Sequence, residues 1–299
     1  MLNPNVEKWL RIKGDLEYNY VGKQKEPIRS KVNIDFFIPD REKDIRAFNR
    51  ERFIEDYKTY YYLGNTGRDC PKRINSRNQS YEGVEDILFT GKNSIIEKKE
   101  DWALIDVLNI LAWKTGNIDH SKSKKDEEIR YKAGWFADEE KGEYGLKLRA
   151  YSLSGDAYSG FAKKVCNIRK QYSENSQNDD SLWQELIRAA QPINGLGPVY
   201  LITLLFFITR GRYPIYDRFA MAALLSLLAN EKGYNIPYDD SIIRIASLPE
   251  KTESTDLYKL KMYDNYIGLL YHFFGESWIN NRDIDRALWV YGHFFNVQQ

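Results

Sequence analysis

The chain has 299 residues and near-balanced charge, 44 Lys and Arg against 43 Asp and Glu, for a formal net charge of +1. With 42% hydrophobic and 29% charged residues it has the make-up of a globular protein, which excludes wholesale disorder and fibrous repeats. A neutral chain exerts no global pull on nucleic acid or anionic membrane, so a polyanion has to be met by a local patch.

The two cysteines, Cys70 and Cys166, are too few for a disulfide framework or a four-thiolate cluster. The opening MLNPNVEKWL lacks the basic-then-apolar run of a signal peptide, and the longest apolar stretch, Val199 to Ile208, is about half of a bilayer-crossing helix. The expectation is a cytoplasmic protein with no membrane partner.

Residues 1–97 mix short helical and strand-like pieces and read as an α/β-flavoured extension of unknown role. Val6, Trp9 and Leu10 share one helical face. Val32, Ile34 and Phe36 alternate as in a half-buried strand that stops at Pro39. Asp40 is placed to cap a helix bearing Ile45, Phe48, Phe53, Ile54 and Tyr57. A basic polar loop, Arg68 to Arg77, follows.

From about Lys98 the pattern predicts helices, and residues 98–299 read as one helical domain. Trp102, Ile105, Leu108 and Leu111-Ala112 form a stripe that ends before Gly116. The mixed-charge run 119–130 reads as a solvated surface insertion. Phe161, Val165, Ile168 and Tyr172 predict a helix over 156–173. Ser181 with Gln184 has the form of a capping box opening the helix Leu182 to Ala190. Further helices are expected near 198–209, 218–230, 240–247, 255–274 and 282–295, so the fold class is mainly α.

The most informative stretch runs from Pro192 to Ala220. A tight turn holds Asn194, Gly195, Leu196 and Gly197, where glycine permits positive φ and close backbone approach. Pro198 suits the first turn of the next helix, which is apolar nearly all round and so should be buried. Gly211 and Pro214 break the chain, and Asp217 opens another helix. A glycine turn at a helix N-terminus presents backbone N–H groups at the positive end of the dipole, where a phosphate oxygen can sit without a basic side chain.

Two helices joined by Ile193-Asn-Gly-Leu-Gly197 resemble the helix-hairpin-helix element. With the Gly/Pro break and Asp217, 22 residues after Gly195, the segment Ser181 to Leu228 resembles the helix-hairpin-helix–Gly/Pro–Asp superfamily of DNA glycosylases. No cysteine follows Cys166, so the branches with a C-terminal iron–sulfur cluster are excluded and the likeness is to the 8-oxoguanine glycosylase-like branch. That resemblance implies a glycosylase-type helical bundle acting on double-stranded DNA, with no cofactor beyond a monovalent cation on the hairpin carbonyls. It implies that Asp217 stabilises positive charge on the sugar as the glycosidic bond breaks, while the plain reading of Asp217 as a helix cap is compatible with this role. Asn194 to Pro198 would anchor the DNA backbone.

Bifunctional members carry a lysine at the position of Val199, so base release without lyase chemistry is implied, unless Lys163 or Lys164 substitutes in space. Tyr213, Tyr216 and Phe219 flank Asp217 and are candidates for either a base pocket or the core. Arg210, Arg212 and Arg218 surround the same loop as candidate phosphate ligands. Lys163, Lys164, Arg169 and Lys170 read as a solvated helix face.

Two alternatives belong to other classes. One is a non-catalytic DNA-binding or anti-phage defence accessory protein on the same hairpin. The other is a Mg²⁺-dependent nuclease, from the D…E-x-K pattern of Asp86, Glu97 and Lys99. His120, His272 and His293 show no metal-ligand spacing, and the last two read as packing residues on helix faces.

Overall fold

A computed structural model describes residues 37–40, 45–58, 61, 85–98, 102–115, 118–119, 130–131, 135–138, 143–148, 151–153, 155–174, 179–191, 193, 196–231, 243–244, 246–248, 260–279 and 281–294. These residues are mainly helical, with short antiparallel strands. They fall into two compact units. The first comprises residues 1–75, 216–247 and 261–299, and the second 76–215 and 248–260.

In the first unit, β1 (Phe37–Asp40) pairs with β2 (Ile45–Phe48) in register Phe37↔Phe48 to Asp40↔Ile45. Two expectations are corrected here. The strand runs through Pro39, because both strands of a two-stranded sheet are edges, where proline's missing donor is tolerated. Ile45 and Phe48 lie on β2 and Asp40 on β1, rather than in and before a helix. The cap of α1 (Arg50–Lys58) is Asn49, whose Oδ1 accepts the Arg52 N–H at 3.1 Å. Val6, Trp9, Leu10, Val32, Ile34, Phe36 and the loop 68–77 lie outside the described residues.

Three further helices complete this unit: α6 (Arg218–Glu231), α7 (Lys261–Phe274) and α8 (Arg282–Phe294), α7 running on into a 3-10 turn at Gly275–Trp278. Rings join them. Phe53 and Tyr57 of α1 meet Tyr291 of α8 edge-on at 5.3 and 5.0 Å, and Phe48 meets Phe273 and Phe274 of α7. Helix α8 also packs along α6, where Gly292 lets the Phe219 carbonyl approach; a Cβ there would stand 2.1 Å from that oxygen.

In the second unit, residues 85–89 form a helical turn, and α2 (Leu104–Thr115) packs against α3 (Gly155–Glu174) and α5 (Pro198–Ile208). Helix α4 (Asp179–Ala190) packs on α3 and α5. It opens two residues earlier than its expected capping box, so Ser181 sits inside the first turn. The stripe expected on α2 is shifted: Ile105 is exposed, while Asp106, Val107, Leu108, Ile110, Leu111 and Trp113 are buried. Asp106 earns its place, since Oδ2 accepts the Ala103 N–H at 2.7 Å and the Lys98 amine at 2.9 Å.

The charged insertion is bracketed by a strand pair, β3 (Ile118–Asp119) with β4 (Arg130–Tyr131). Next comes a three-stranded antiparallel sheet of β5 (Trp135–Asp138), β6 (Glu143–Leu148) and β7 (Tyr151–Leu153). The sequence reading assigned no secondary structure to residues 131–155, where most of these strands lie. No helix among the described residues is long and apolar enough to cross a membrane.

Candidate functional site

The residues singled out by the sequence divide between the two units, the break falling between Ile215 and Tyr216. The hairpin, α5, Arg210 and Arg212 belong to the second unit, and Tyr216, Asp217, Arg218 and Phe219 to the first.

On the hairpin, Pro192, Asn194 and Gly195 lie outside the described residues. Ile193 and Leu196 are buried, and the Ile193 N–H donates to the Ala190 carbonyl at 2.8 Å. Gly197 is the N-cap of α5, with φ −83° and ψ −178°. Its backbone is extended, so positive φ is not what the position requires. Having no side chain, it leaves capping of the first turn to other groups. Pro198 occupies the first turn as expected, where no N–H is needed.

Helix α5 is buried on nearly every side, as its composition predicted; Val199, Tyr200 and Phe206 are the half-buried exceptions. Val199 thus stands partly open in the first turn, and its carbonyl accepts the Thr203 hydroxyl at 2.8 Å. Lys163 and Lys164 are exposed on α3.

The far end of α5 closes in a Schellman motif. The Gly211 N–H reaches the Phe206 carbonyl at 2.8 Å and the Arg210 N–H the Phe207 carbonyl at 3.3 Å. Two consecutive residues adopt left-handed backbone, Arg210 at φ 53° and Gly211 at φ 87°. Arg210 and Arg212 are exposed, whereas Gly211, Tyr213, Pro214 and Ile215 are buried.

Under this turn lies a cation that sequence reading assigned to a solvated face. Arg169 of α3 is only 3% exposed. Its Nη1 donates to the Ile208 carbonyl, its Nη2 donates to the Lys98 carbonyl at 3.1 Å, and its guanidinium lies 5.4 Å from the Trp102 ring centroid. Burial lowers its pKa to about 10, and the nearby charge of Arg210 pushes the same way.

In the first unit, Asp217 is the N-cap of α6. Its Oδ1 accepts the Phe219 N–H at 2.9 Å, and its carbonyl accepts the first helical bond from Met221. The expected cap is therefore present, and the carboxylate is half-buried. Tyr216 is in the core: it is fully buried, donates its hydroxyl to the Ala246 carbonyl, and packs on Tyr263 and Tyr266 at 6.0 and 5.1 Å. Burial, and secondarily the Asp217 charge, holds the Tyr216 and Tyr266 phenols well above their usual pKa. Of the three candidate pocket rings, Tyr213 and Tyr216 are buried and Phe219 is half-buried. Phe219 lies under the exposed Arg218, at 5.0 Å, and 3.7 Å from the His293 ring, which in turn lies 3.9 Å from Trp289. His293 sits in this ring stack with Nδ1 at 2.7 Å from the Trp289 carbonyl. His272 is exposed and paired with Glu231 at 2.8 Å, rather than packed on a helix face as expected.

For the nuclease pattern, Asp86 and Glu97 are both exposed and Lys99 lies outside the described residues, as does His120. Among the described residues no cluster of three or more His, Cys, Asp or Glu side chains is arranged to hold a metal ion. Comparison with protein-family models, with curated proteins and with solved structures finds no match to this chain.

Proposed function

We propose that the chain binds double-stranded DNA through the hairpin Asn194–Pro198 and hydrolyses the N-glycosidic bond of a modified base of the 8-oxoguanine kind. Asp217 is the charged group of that reaction, on a helical bundle of the glycosylase type. The observation that carries the reading is the fixed carboxylate of Asp217, half-buried at a helix N-terminus with one oxygen held by the Phe219 N–H. A carboxylate so oriented can stabilise a sugar cation as the C1′–N bond breaks. Water then adds at C1′ and gives up a proton, and the base leaves with the bonding electrons and takes one. Val199 at the position of the lyase lysine makes base release the whole reaction, since an alkyl side chain forms no Schiff base. Arg210, Arg212 and Arg218, all exposed, supply phosphate contacts. Phe219, half-buried beside Arg218, is the candidate ring of the base pocket that is not in the core. A monovalent cation would sit on hairpin carbonyls and supply charge only, with no part in the bond-breaking step.

The test is base release from duplexes carrying 8-oxoguanine, uracil or an alkylated base, scored by alkaline strand cleavage. Asp217→Asn keeps the cap, because Asn and Asp cap equally well, and should cost less than about 1 kcal/mol of stability. It should lower base release by about 10²–10⁴-fold while DNA binding persists. Binding by the wild type with no base released from any duplex would assign the accessory role instead. Cleavage that requires Mg²⁺ and is lost in Glu97→Ala would move the site to the nuclease pattern.

A further inference from the structure

The exposed cations of residues 210–212 stand at the wrong end of a helix for binding phosphate. The C-terminus of α5 is the negative end of the helix dipole, which repels an anion. Arg169 lies at that end. Its fork bridges the Ile208 carbonyl, in the last turn of α5, and the Lys98 carbonyl, far away in sequence, while its face rests on Trp102. A lysine could not do this: one ammonium cannot span two carbonyls in a plane and stack on an indole.

Two residues after Ile208, Arg210 occupies the left-handed position of the Schellman turn, where glycine is the usual residue. A non-glycine residue there costs about 1–2 kcal/mol, and such strain gathers where a side chain has work to do. Arg210 is exposed, and its charge and that of Arg169 repel each other.

We propose that Arg169 is a positioning residue for polyanion binding: it cancels the negative end of α5 and holds the turn so that Arg210 and Arg212 present their charges to a phosphate backbone. This rests on the DNA-binding reading above, but not on base release. Arg169 touches no phosphate itself. It acts through Arg210 and Arg212, and that makes Arg169 and Arg210 energetically coupled.

The experiment is binding of a fluorescent-labelled duplex by the full chain across a KCl series, for Arg169→Met, Arg169→Lys, Arg210→Gly and the double variant Arg169→Met/Arg210→Gly. Arg210→Gly should weaken binding about tenfold and reduce the salt slope by about one. Arg169→Met, which retains packing against Trp102, should weaken binding by a similar factor, about tenfold. Arg169→Lys, the variant to use if Met does not fold, restores the charge but not the fork and should lose about threefold. The double variant should lose less than the product of the two single losses.

A role confined to folding would shift the urea midpoint but leave the salt slope unchanged and the two losses additive. Additive losses, or wild-type affinity in a folded Arg169 variant, would overturn the inference. Coupled binding without base release overturns the glycosylase reading alone. Base release with no dependence on Arg169 overturns this inference alone. Failure of the wild type to bind any duplex overturns both.

Discussion

Arg210 and Asp217 are seven residues apart and mark two kinds of constraint. Asp217 sits where its side chain is locally rewarded, since a cap carboxylate satisfies a helix N–H and faces the positive end of the dipole. Arg210 sits where its side chain is locally penalised, in left-handed backbone at φ 53°. Replacing it by glycine should therefore stabilise the protein, by about 1 kcal/mol after allowing for the greater entropy of glycine in the unfolded chain. Urea unfolding of Arg210→Gly reads this directly. A lower midpoint than wild type would show that the arginine stabilises the fold through its side chain, and its strain would need no functional cause. Stability gained together with DNA binding lost is the signature of a residue kept for binding.

At the scale of elements, the crossing of α6 and α8 turns on one atom's absence. Gly292 faces the Phe219 carbonyl so closely that a methyl group would stand 2.1 Å from a backbone oxygen, which no rotamer change can relieve. Gly292→Ala should cost about 3 kcal/mol, well above the usual effect of alanine in a helix, which is favourable. It should also disturb the Phe219–His293 stack beside Asp217; denaturant unfolding and near-UV dichroism measure the two effects. Glycine in a helical pattern says only that something comes close, and not what. The same gap separates the elements that were legible from those that were not. Helix α5 was legible because nothing but burial accommodates a helix apolar on every side. Asp217 as a cap was legible because capping is local. The strands between residues 118 and 153 were missed although Tyr144, Leu146 and Leu148 alternate with Glu143, Gly145 and Lys147 along β6. That signal spans three periods and lies next to a charged run. Ile45 and Phe48 fitted a helical spacing as well as a strand, and the deciding residue, Asn49, is a cap recognisable only once the helix start is known. Arg169 had no sequence signal at all, because its partners are carbonyls 39 and 71 residues away.

At the scale of the whole molecule, the response to alkali is concentrated in one unit. Tyr216, Tyr266 and Tyr291 all belong to the unit formed by residues 1–75, 216–247 and 261–299, and burial raises all three phenols. A raised phenol favours the protonated form in the folded state, so the unfolded chain releases its protons first, from about pH 10. Below that pH the stabilisation is complete. Above it, unfolding releases protons and stability falls, by up to about 4 kcal/mol per pH unit for three such groups. Alkaline titration should show the absorbance of these tyrosinates rising together with loss of helical dichroism, in one cooperative step above pH 10. Tyr291→Phe removes one titrating group and should move that step upward; since the Tyr291 phenol also interacts with Ser226, the variant has to be compared with wild type at neutral pH as well. If every tyrosine titrated near its ordinary value with the helices intact, the phenols would be reachable by water. The aromatic core that holds α6, and with it the Asp217 carboxylate, would then not be the rigid support that a fixed charge beside a sugar requires.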